Sequence, residues 1–296
     1  MNPTKADVET INIFPANNLW NQDISIAAKD SRSDSIIRLL AKNSPSLKAD
    51  FGSGLFNNSP IGIPFAVICA SQPKVPIIFR ANAYDGNYGN ESDPGPYPVP
   101  PDAPVEGNGI VDSHVIVIDV ETKKLYELYN ADKVAGGWEA SSGAIFDLNS
   151  NDLRTEGWTS ADAAGLPIFP GLVRYDEILK GEIDHVIRFT LTKSKVTNGY
   201  IDPARHKVTG TNNSTLAPTP FGMKLRLKGN FNISVFSNIN KVILTALKRY
   251  GLMLADIGSD LFIIGAPDER WDNNDLQNLR MLKATDFEVV QMGTIH

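Results

Sequence analysis

The apolar residues of this chain fall into short runs, and turn-rich segments separate one run from the next. A short apolar run bounded by Gly, Pro, Asn or Asp is typical of a β-strand. The runs that predict strands lie at 63–70, 75–79, 114–120, 124–129, 138–148, 186–192, 223–228, 252–255, 261–264 and 287–290. They do not alternate regularly with helices. The pattern therefore favours a mostly β fold, an antiparallel β-sandwich or jelly roll, over a doubly wound sheet.

Few segments have the period of a helix. The residues at 33–41 and 238–250 each place apolar side chains on one face, and Gly251 is suited to ending the second helix. We expect such helices at the periphery of the sheets, and an α+β fold is the alternative. Two long segments, 81–109 and 149–170, predict loops, and long loops inside a compact domain often carry function.

Bulk composition limits the possible classes of protein. With 296 residues, of which 42% are hydrophobic, we expect a single compact domain over 1–296, with an extended N-terminal segment at 1–13. The net charge is −6 and no run of Lys or Arg exceeds two residues, which argues against a nucleic-acid partner. No segment has the ~18 consecutive apolar residues of a membrane helix, so no membrane insertion is expected.

Three histidines lie beside charged residues and are candidates for acid/base catalysis: His114, His185 and His206. The spacing Asp112-x-His114 puts both side chains on one face of an extended segment, where the carboxylate could orient the imidazole. A structural hydrogen-bonding role is the alternative for each of them. The chain lacks the His-x-His and His-Glu-x-x-His spacings, so no cofactor is expected, although a metal ion stays possible.

Carboxylates and one arginine complete the catalytic candidates. Glu127 shares a predicted strand face with apolar neighbours, so it is either paired with Arg188 or Arg226, or it has a raised pKa in a cleft. Asp93 in the first long loop could assist, and Arg188 could bind an anionic group. Two carboxylates flanking a bond would suit a glycosidase, whereas a histidine with an arginine would suit a lyase acting on a uronate.

Aromatic and polar side chains suggest a sugar ligand. Tyr97, Trp138 and Trp158 could stack on the apolar faces of sugar rings, and Asp162 and Arg205 could bind hydroxyl groups. The alternative is that the rings fill the ends of the sandwich.

Several motifs resemble a family of uncharacterised bacterial proteins. They include Gly157-Trp-Thr-Ser-Ala-Asp-Ala-Ala-Gly-Leu-Pro-Ile, and the others lie at 91–98, 114–119, 125–129, 171–177, 203–206 and 250–256. The likeness spans about 14–290. Members of that family are mostly secreted, and some accompany immunoglobulin-like or carbohydrate-binding modules. The resemblance implies a glycan-related role in a secreted or periplasmic protein; a cytoplasmic location is the alternative.

We therefore expect a carbohydrate-active enzyme that cleaves a polysaccharide, either a glycoside hydrolase or a polysaccharide lyase. A non-catalytic, lectin-like module is the alternative, because the same aromatic and polar loops could bind a glycan without perturbing any pKa.

Overall fold

A computed structural model describes residues 8–9, 11–81, 88–110 and 112–296. Most of the predicted N-terminal segment 1–13, and residues 82–87 of the first long loop, lie outside the described residues. Strand makes up 25% of the structure and helix 19%, so the protein is strand-rich, as the apolar runs predict.

The strands of the described residues belong to four sheets. In chain order they are β1 (Lys48–Asp50), β2 (Leu55–Phe56), β3 (Ser59–Pro60), β4 (Phe65–Ile68), β5 (Ile77–Phe79), β6 (Val115–Asp119), β7 (Lys124–Tyr129), β8 (Asp132–Val134), β9 (Gly137–Ala140), β10 (Ser142–Asp147), β11 (Ile187–Leu191), β12 (Lys224–Leu227), β13 (Leu252–Ile257), β14 (Phe262–Ile264) and β15 (Phe287–Val289). A six-stranded sheet has the order β1-β14-β11-β13-β12-β15, and a four-stranded sheet has the order β10-β7-β6-β4. Strands β5, β9 and β8 form a third sheet, and β2 and β3 form a hairpin.

The α-helices are α1 (Ser33–Leu40), α2 (Tyr175–Lys180), α3 (Asn238–Arg249) and α4 (Asn273–Leu276). The side chain of Ser237 accepts a hydrogen bond from the Asn240 backbone N–H at the start of α3. Gly251 follows the helix with φ of 78°, a left-handed conformation that glycine adopts without strain. The predicted helices at 33–41 and 238–250 are thus confirmed.

The sheets are not antiparallel throughout, which corrects part of the predicted architecture. The pairs β1–β14, β4–β6, β5–β9 and β11–β13 are parallel. The runs at 63–70 and 75–79, although consecutive along the chain, contribute to different sheets, since β4 pairs with β6 and β5 pairs with β9. Parallel neighbours need a crossover connection, and an apolar run reveals neither its direction nor its partner.

The four-stranded sheet is buried on both faces. Ile116 and Ile118 of β6 belong to a large hydrophobic cluster that also contains most apolar side chains of the six-stranded sheet. Val115 and Val117 point to the opposite face, into a second cluster with Trp138 of β9. Alternate residues of one strand therefore pack into two cores, and Glu127 of β7, opposite Ile116, is fully buried on the face of the large cluster.

Candidate functional site

Three side chains from different elements hold the segment 161–163 of the second long loop. His114, just before β6, contacts the Ala161 carbonyl oxygen through Nε2 at 2.9 Å. His206 contacts the Ala163 carbonyl through Nδ1 at 2.8 Å. Between them, the Asp162 carboxylate accepts a hydrogen bond from Nη2 of Arg188 on β11. Two of the three predicted histidines therefore meet at one segment, at the place where Asp162 pairs with Arg188.

His114 carries a positive charge in this arrangement. Its Nδ1 lies 2.5 Å from Oε2 of Glu106, and its Nε2 faces a carbonyl oxygen. A carbonyl and an ionised carboxylate only accept hydrogen bonds, so both ring nitrogens donate. Burial opposes the charge, but the Glu106 carboxylate outweighs it and raises the pKa of His114 to about 9. Since neither nitrogen is available to take a proton, His114 is a positioning group rather than a base.

A buried charge network lies beneath this segment. Arg188 is 1% exposed and pairs with Asp162, while its Nε and Nη1 have no hydrogen-bond partner among the described residues. Glu127 accepts hydrogen bonds from the backbone N–H groups of Ile168 and Phe169 at 2.9 Å. Burial raises the pKa of Glu127 to about 7, although those N–H groups and the charge of Arg188 oppose the shift. Of the two predicted alternatives for Glu127, the raised pKa is present, whereas Arg188 pairs with Asp162 and Arg226 pairs with Glu288 instead.

A cavity of about 190 Å³ opens over the segment 161–163. Its lining carries five hydroxyl groups, three carboxylates and an imidazole: Tyr88, Tyr129, Ser142, Thr159, Ser160, Asp112, Asp162, Asp256 and His206. Asp256 of β13 is half-buried, and Asp112 is exposed. Burial raises the pKa of Asp256 to about 6 despite the opposing charge of Arg188. The cavity therefore presents two carboxylates in different environments, one of which holds its proton more firmly than an ordinary aspartate.

The geometry suits proton transfer to and from a small hydroxyl-bearing ligand. A half-buried carboxyl with a raised pKa can donate a proton near neutral pH, and an exposed carboxylate can activate water or attack directly. No group of three His, Cys, Asp or Glu side chains that could hold a metal ion occurs in the part of the chain that is described. Nor does any described helix have the length and apolarity needed to cross a membrane.

The structure brings five of the predicted catalytic or binding residues to this cavity, three in its lining and two that contact the lining from beneath. Asp112, Asp162 and His206 line the cavity. His114 contacts its wall at Ala161, and Arg188 contacts it at Asp162. Glu127 belongs to the buried network through its interaction with Arg188. Asp93 lies nearby but is held by Arg154, at 2.7 Å, and by the Ile145 backbone N–H.

Other predicted residues have different surroundings. Tyr97 is fully buried and donates its hydroxyl hydrogen to the Asp93 carbonyl, and Trp138 is 2% exposed in the second cluster, so neither ring offers a face to a ligand. Trp158 stacks on Arg154, with 5.6 Å from the guanidinium carbon to the ring centroid. Arg205 binds Asp202 at 2.9 Å. His185 is in a different place altogether, where its Nε2 lies 2.7 Å from Glu177 Oε1.

The sequence interpretation missed Asp256 and Glu106. Asp256 follows four apolar residues in Leu-Met-Leu-Ala-Asp-Ile, so it had the same signal as Glu127, a carboxylate in an otherwise apolar strand. Glu106 had no such signal, because it lies in the Pro- and Gly-rich loop, eight residues before the histidine that it binds.

No family model, no curated protein and no solved structure matches this chain. The candidate site is therefore supported by its geometry and electrostatics alone.

Proposed function

We propose that this protein is a carbohydrate-active enzyme that hydrolyses glycosidic bonds, with Asp256 and Asp112 as its catalytic carboxylates. The observation that carries the proposal is that these two carboxylates, one half-buried and one exposed, line the same hydroxyl-rich cavity. Glycoside hydrolases use such a pair on either side of the scissile bond.

The two carboxylates divide the chemistry according to their environments. Asp256, whose pKa is raised by burial to about 6, protonates the oxygen of the leaving sugar. Asp112, exposed at the cavity, acts as the ionised partner, either activating a water molecule or forming a covalent intermediate. His206 lies on the cavity wall with one nitrogen held by Ala163, so it can orient a sugar hydroxyl.

Size and charge favour a neutral sugar. The cavity is smaller than the ~300–1,000 Å³ that encloses a drug-sized ligand, so it suits a single ring at the end of a chain. Three carboxylates in the lining would repel a uronate. Arg188 would be the natural partner of a uronate in a lyase, but it is buried and already paired with Asp162. These features support hydrolysis over elimination.

The scaffold and the setting belong to the same proposal. We infer that the four- and six-stranded sheets pack as the two layers of a sandwich-like body, since both contribute to one hydrophobic cluster and Arg188 on one sheet interacts with Glu127 on the other. The proposal includes a polysaccharide partner and an extracytoplasmic location, both of which rest on the sequence resemblance.

The test is a digest of neutral and uronate-rich glycans in ¹⁸O-labelled water, read by mass spectrometry. Hydrolysis adds one labelled oxygen per cut, and we expect products from neutral chains. Asp256→Asn and Asp112→Asn should each lower kcat/KM roughly a hundredfold or more. Because the acid must keep its proton, wild-type kcat/KM should fall as pH rises through about 6.

Asp34→Asn is the matched control, because this carboxylate is exposed on α1 and does not line the cavity. It should leave activity unchanged. Unlabelled, unsaturated products would replace the hydrolase by a lyase. Saturable glycan binding without any product would favour the lectin-like module, and two active Asp→Asn variants would remove these carboxylates from the mechanism.

A further inference from the structure

A second and larger cavity lies at the other end of the four-stranded sheet. The candidate site meets this sheet at Tyr129 and Ser142, where β7 ends and β10 begins. The second cavity, about 730 Å³, meets it at Lys123 and Leu148, next to the opposite ends of the same two strands. Six residues of strand separate the two ends, roughly 17–20 Å. The two cavities are therefore separate sites.

The wall of this cavity contains an arginine whose guanidinium group is not fully hydrogen-bonded. Arg174 is 6% exposed, and its Nη2 donates to Oε1 of Glu177 at 2.8 Å. Its guanidinium carbon lies 4.8 Å from the ring centroid of Phe169, which fixes its plane. Nε lies 3.4 Å from Oδ1 of Asp176, an ion pair without a hydrogen bond, and Nη1 has no hydrogen-bond partner among the described residues. A buried donor without a partner costs free energy, so this guanidinium has capacity for an anionic acceptor.

The other charges of the cavity are mostly neutralised by one another. Glu177 is shared between Arg174 and His185, and Lys180 binds Asp184 at 3.0 Å. Two more carboxylates line the cavity, that of Asp176, which forms an ion pair with Arg174, and that of Glu9. Burial raises the pKa of Asp176, which weakens its negative charge.

Lys123 is a second cation available to a ligand. It is half-buried at the turn between β6 and β7, and its ammonium group makes no hydrogen bond or ion pair within the described part of the chain. The remaining wall combines apolar side chains with three amides: Val8, Ile11, Ile13, Phe14, Leu148 and Tyr250, and Asn12, Asn21 and Asn149. The volume falls within the ~300–1,000 Å³ of small-molecule sites, which combine an apolar wall with a few polar groups.

We propose that this cavity binds a small organic anion, with its carboxylate or phosphate oxygens on Arg174 and Lys123 and its apolar body against the wall at Ile11, Ile13 and Phe14. This site is independent of the proposed hydrolase activity, because it lies at the opposite end of the sheet and shares no lining residue with the candidate site.

The experiment is isothermal titration calorimetry of the full chain with phenyl phosphate and with benzoate, and benzyl alcohol is the uncharged control. At least one anion should bind saturably and weaken with added salt, while benzyl alcohol should not bind. Binding of phenyl phosphate alone would identify a phosphoryl ligand, and binding of benzoate alone a carboxylate. The proposal fails if neither anion binds more tightly than benzyl alcohol.

Lys123→Asn tests the role of the half-buried lysine. Lys123 has φ of 52°, and asparagine tolerates this left-handed conformation, so the variant should fold. It should weaken the anion roughly threefold to tenfold. Lys124→Gln is the matched control, since Lys124 is the next residue on the same hairpin but does not line the cavity; it should bind as the wild type does. Equal affinities for these two variants would overturn the proposal.

Arg174→Lys tests the buried cation and should weaken binding by more than Lys123→Asn does, because lysine cannot present the paired N–H groups. Circular dichroism confirms whether this variant is folded. If it is not, the Lys123→Asn comparison alone decides the outcome.

Discussion

At the residue scale, His114 shows how a spacing can identify an important side chain and assign it the wrong partner. The pattern Asp112-x-His114 predicts a carboxylate that orients the imidazole. The structure supplies such a carboxylate, but it is Glu106, 2.5 Å from Nδ1. Asp112 lines the cavity instead and contributes to the charge of His114 only at longer range. Proximity in sequence thus identified the histidine, whereas loop conformation decided its partner.

The charge of His114 makes its contribution to stability dependent on pH. The folded-state pKa of about 9 lies above the ordinary value of 6.5, so the folded state holds the proton more tightly than the unfolded state. The contribution is therefore complete below about pH 6.5 and is lost as pH rises through about 9. We expect His114→Gln to lower the free energy of unfolding by roughly 2–4 kcal/mol at pH 6, from a shift of a few pKa units.

Urea denaturation between pH 6 and pH 9.5 measures this effect, and the difference between His114→Gln and the wild type should narrow across that range. His206→Gln is the control, because its ring is half-buried with one carbonyl partner and one carboxylate at 3.7 Å, and it should cost less than about 1 kcal/mol. A difference that is constant with pH would show that His114 is not charged in the folded state.

At the scale of elements, the loop at 149–170 leads into a short 3₁₀ helix that packs closely on strand β11, and Gly171 makes this close approach possible. Gly171 ends a short 3₁₀ helix at Phe169–Gly171 and lies directly over Arg188. A Cβ atom at Gly171 would come within 2.2 Å of Arg188 Cγ and 2.7 Å of a ring carbon of Trp20. The absence of a side chain at Gly171 leaves room for Arg188, the second residue of β11, and no apolar pattern in the sequence predicts this close approach.

Gly171→Ala should therefore destabilise the protein by about 2–3 kcal/mol, since Arg188 is packed on all sides and cannot move without disturbing its pair with Asp162. Gly229→Ala is the matched control, because a Cβ there meets no atom within 4 Å, and it should change stability by less than about 0.5 kcal/mol. Chemical denaturation of both variants makes the comparison. Equal free energies of unfolding for the two variants would mean that the Arg188 side chain moves to accommodate the added methyl group.

Elements formed by neighbouring residues were predictable, and elements that need a distant partner were not. The hairpin of β6 and β7 follows from two apolar runs with a short turn, and the structure pairs Ile118 with Leu125 as a close turn requires. The run at 138–148 instead divides at Ser141 into β9 and β10, which belong to different sheets. Alternation within a run could not reveal that division, because both halves are largely buried.

At the scale of the molecule, the same limit applies to the candidate site. Asp112, Asp162 and His206 come from three separate segments. Asp112 and His206 were identified from residue type and neighbouring charges, and Asp162 as a polar loop residue that could bind sugar hydroxyls. Asp256 completes the cavity from β13, about 140 residues further along the chain than Asp112. Its place depends on the mixed order of the six-stranded sheet, which puts β13 between β11 and β12. The sequence could therefore predict which side chains carry chemistry better than which of them meet.

The two hydrophobic clusters lie on opposite faces of the four-stranded sheet, and this arrangement predicts whether they unfold together. The second cluster consists of one face of the four-stranded sheet and residues such as Tyr97 and Trp138, while the other face of that sheet belongs to the large cluster. If the second cluster opened, Val115 and Val117 would be exposed and the hydrogen bonds of β6 would lose their shielding. We therefore expect the predicted single domain over 1–296 to unfold in one transition rather than cluster by cluster.

Native-state hydrogen exchange at increasing urea measures this directly. The amide of Trp138 in β9, whose backbone N–H donates to the Pro76 carbonyl, reports on the second cluster, and the amide of Ile187 in β11, bonded to Gly251, reports on the first. Their opening free energies should converge on the global value, with midpoints that also coincide by fluorescence and circular dichroism. If the Trp138 amide instead exchanged in a separate transition at lower urea, the three-stranded sheet would be an independently unfolding unit. The four-stranded sheet would then not couple the unfolding of the two hydrophobic clusters.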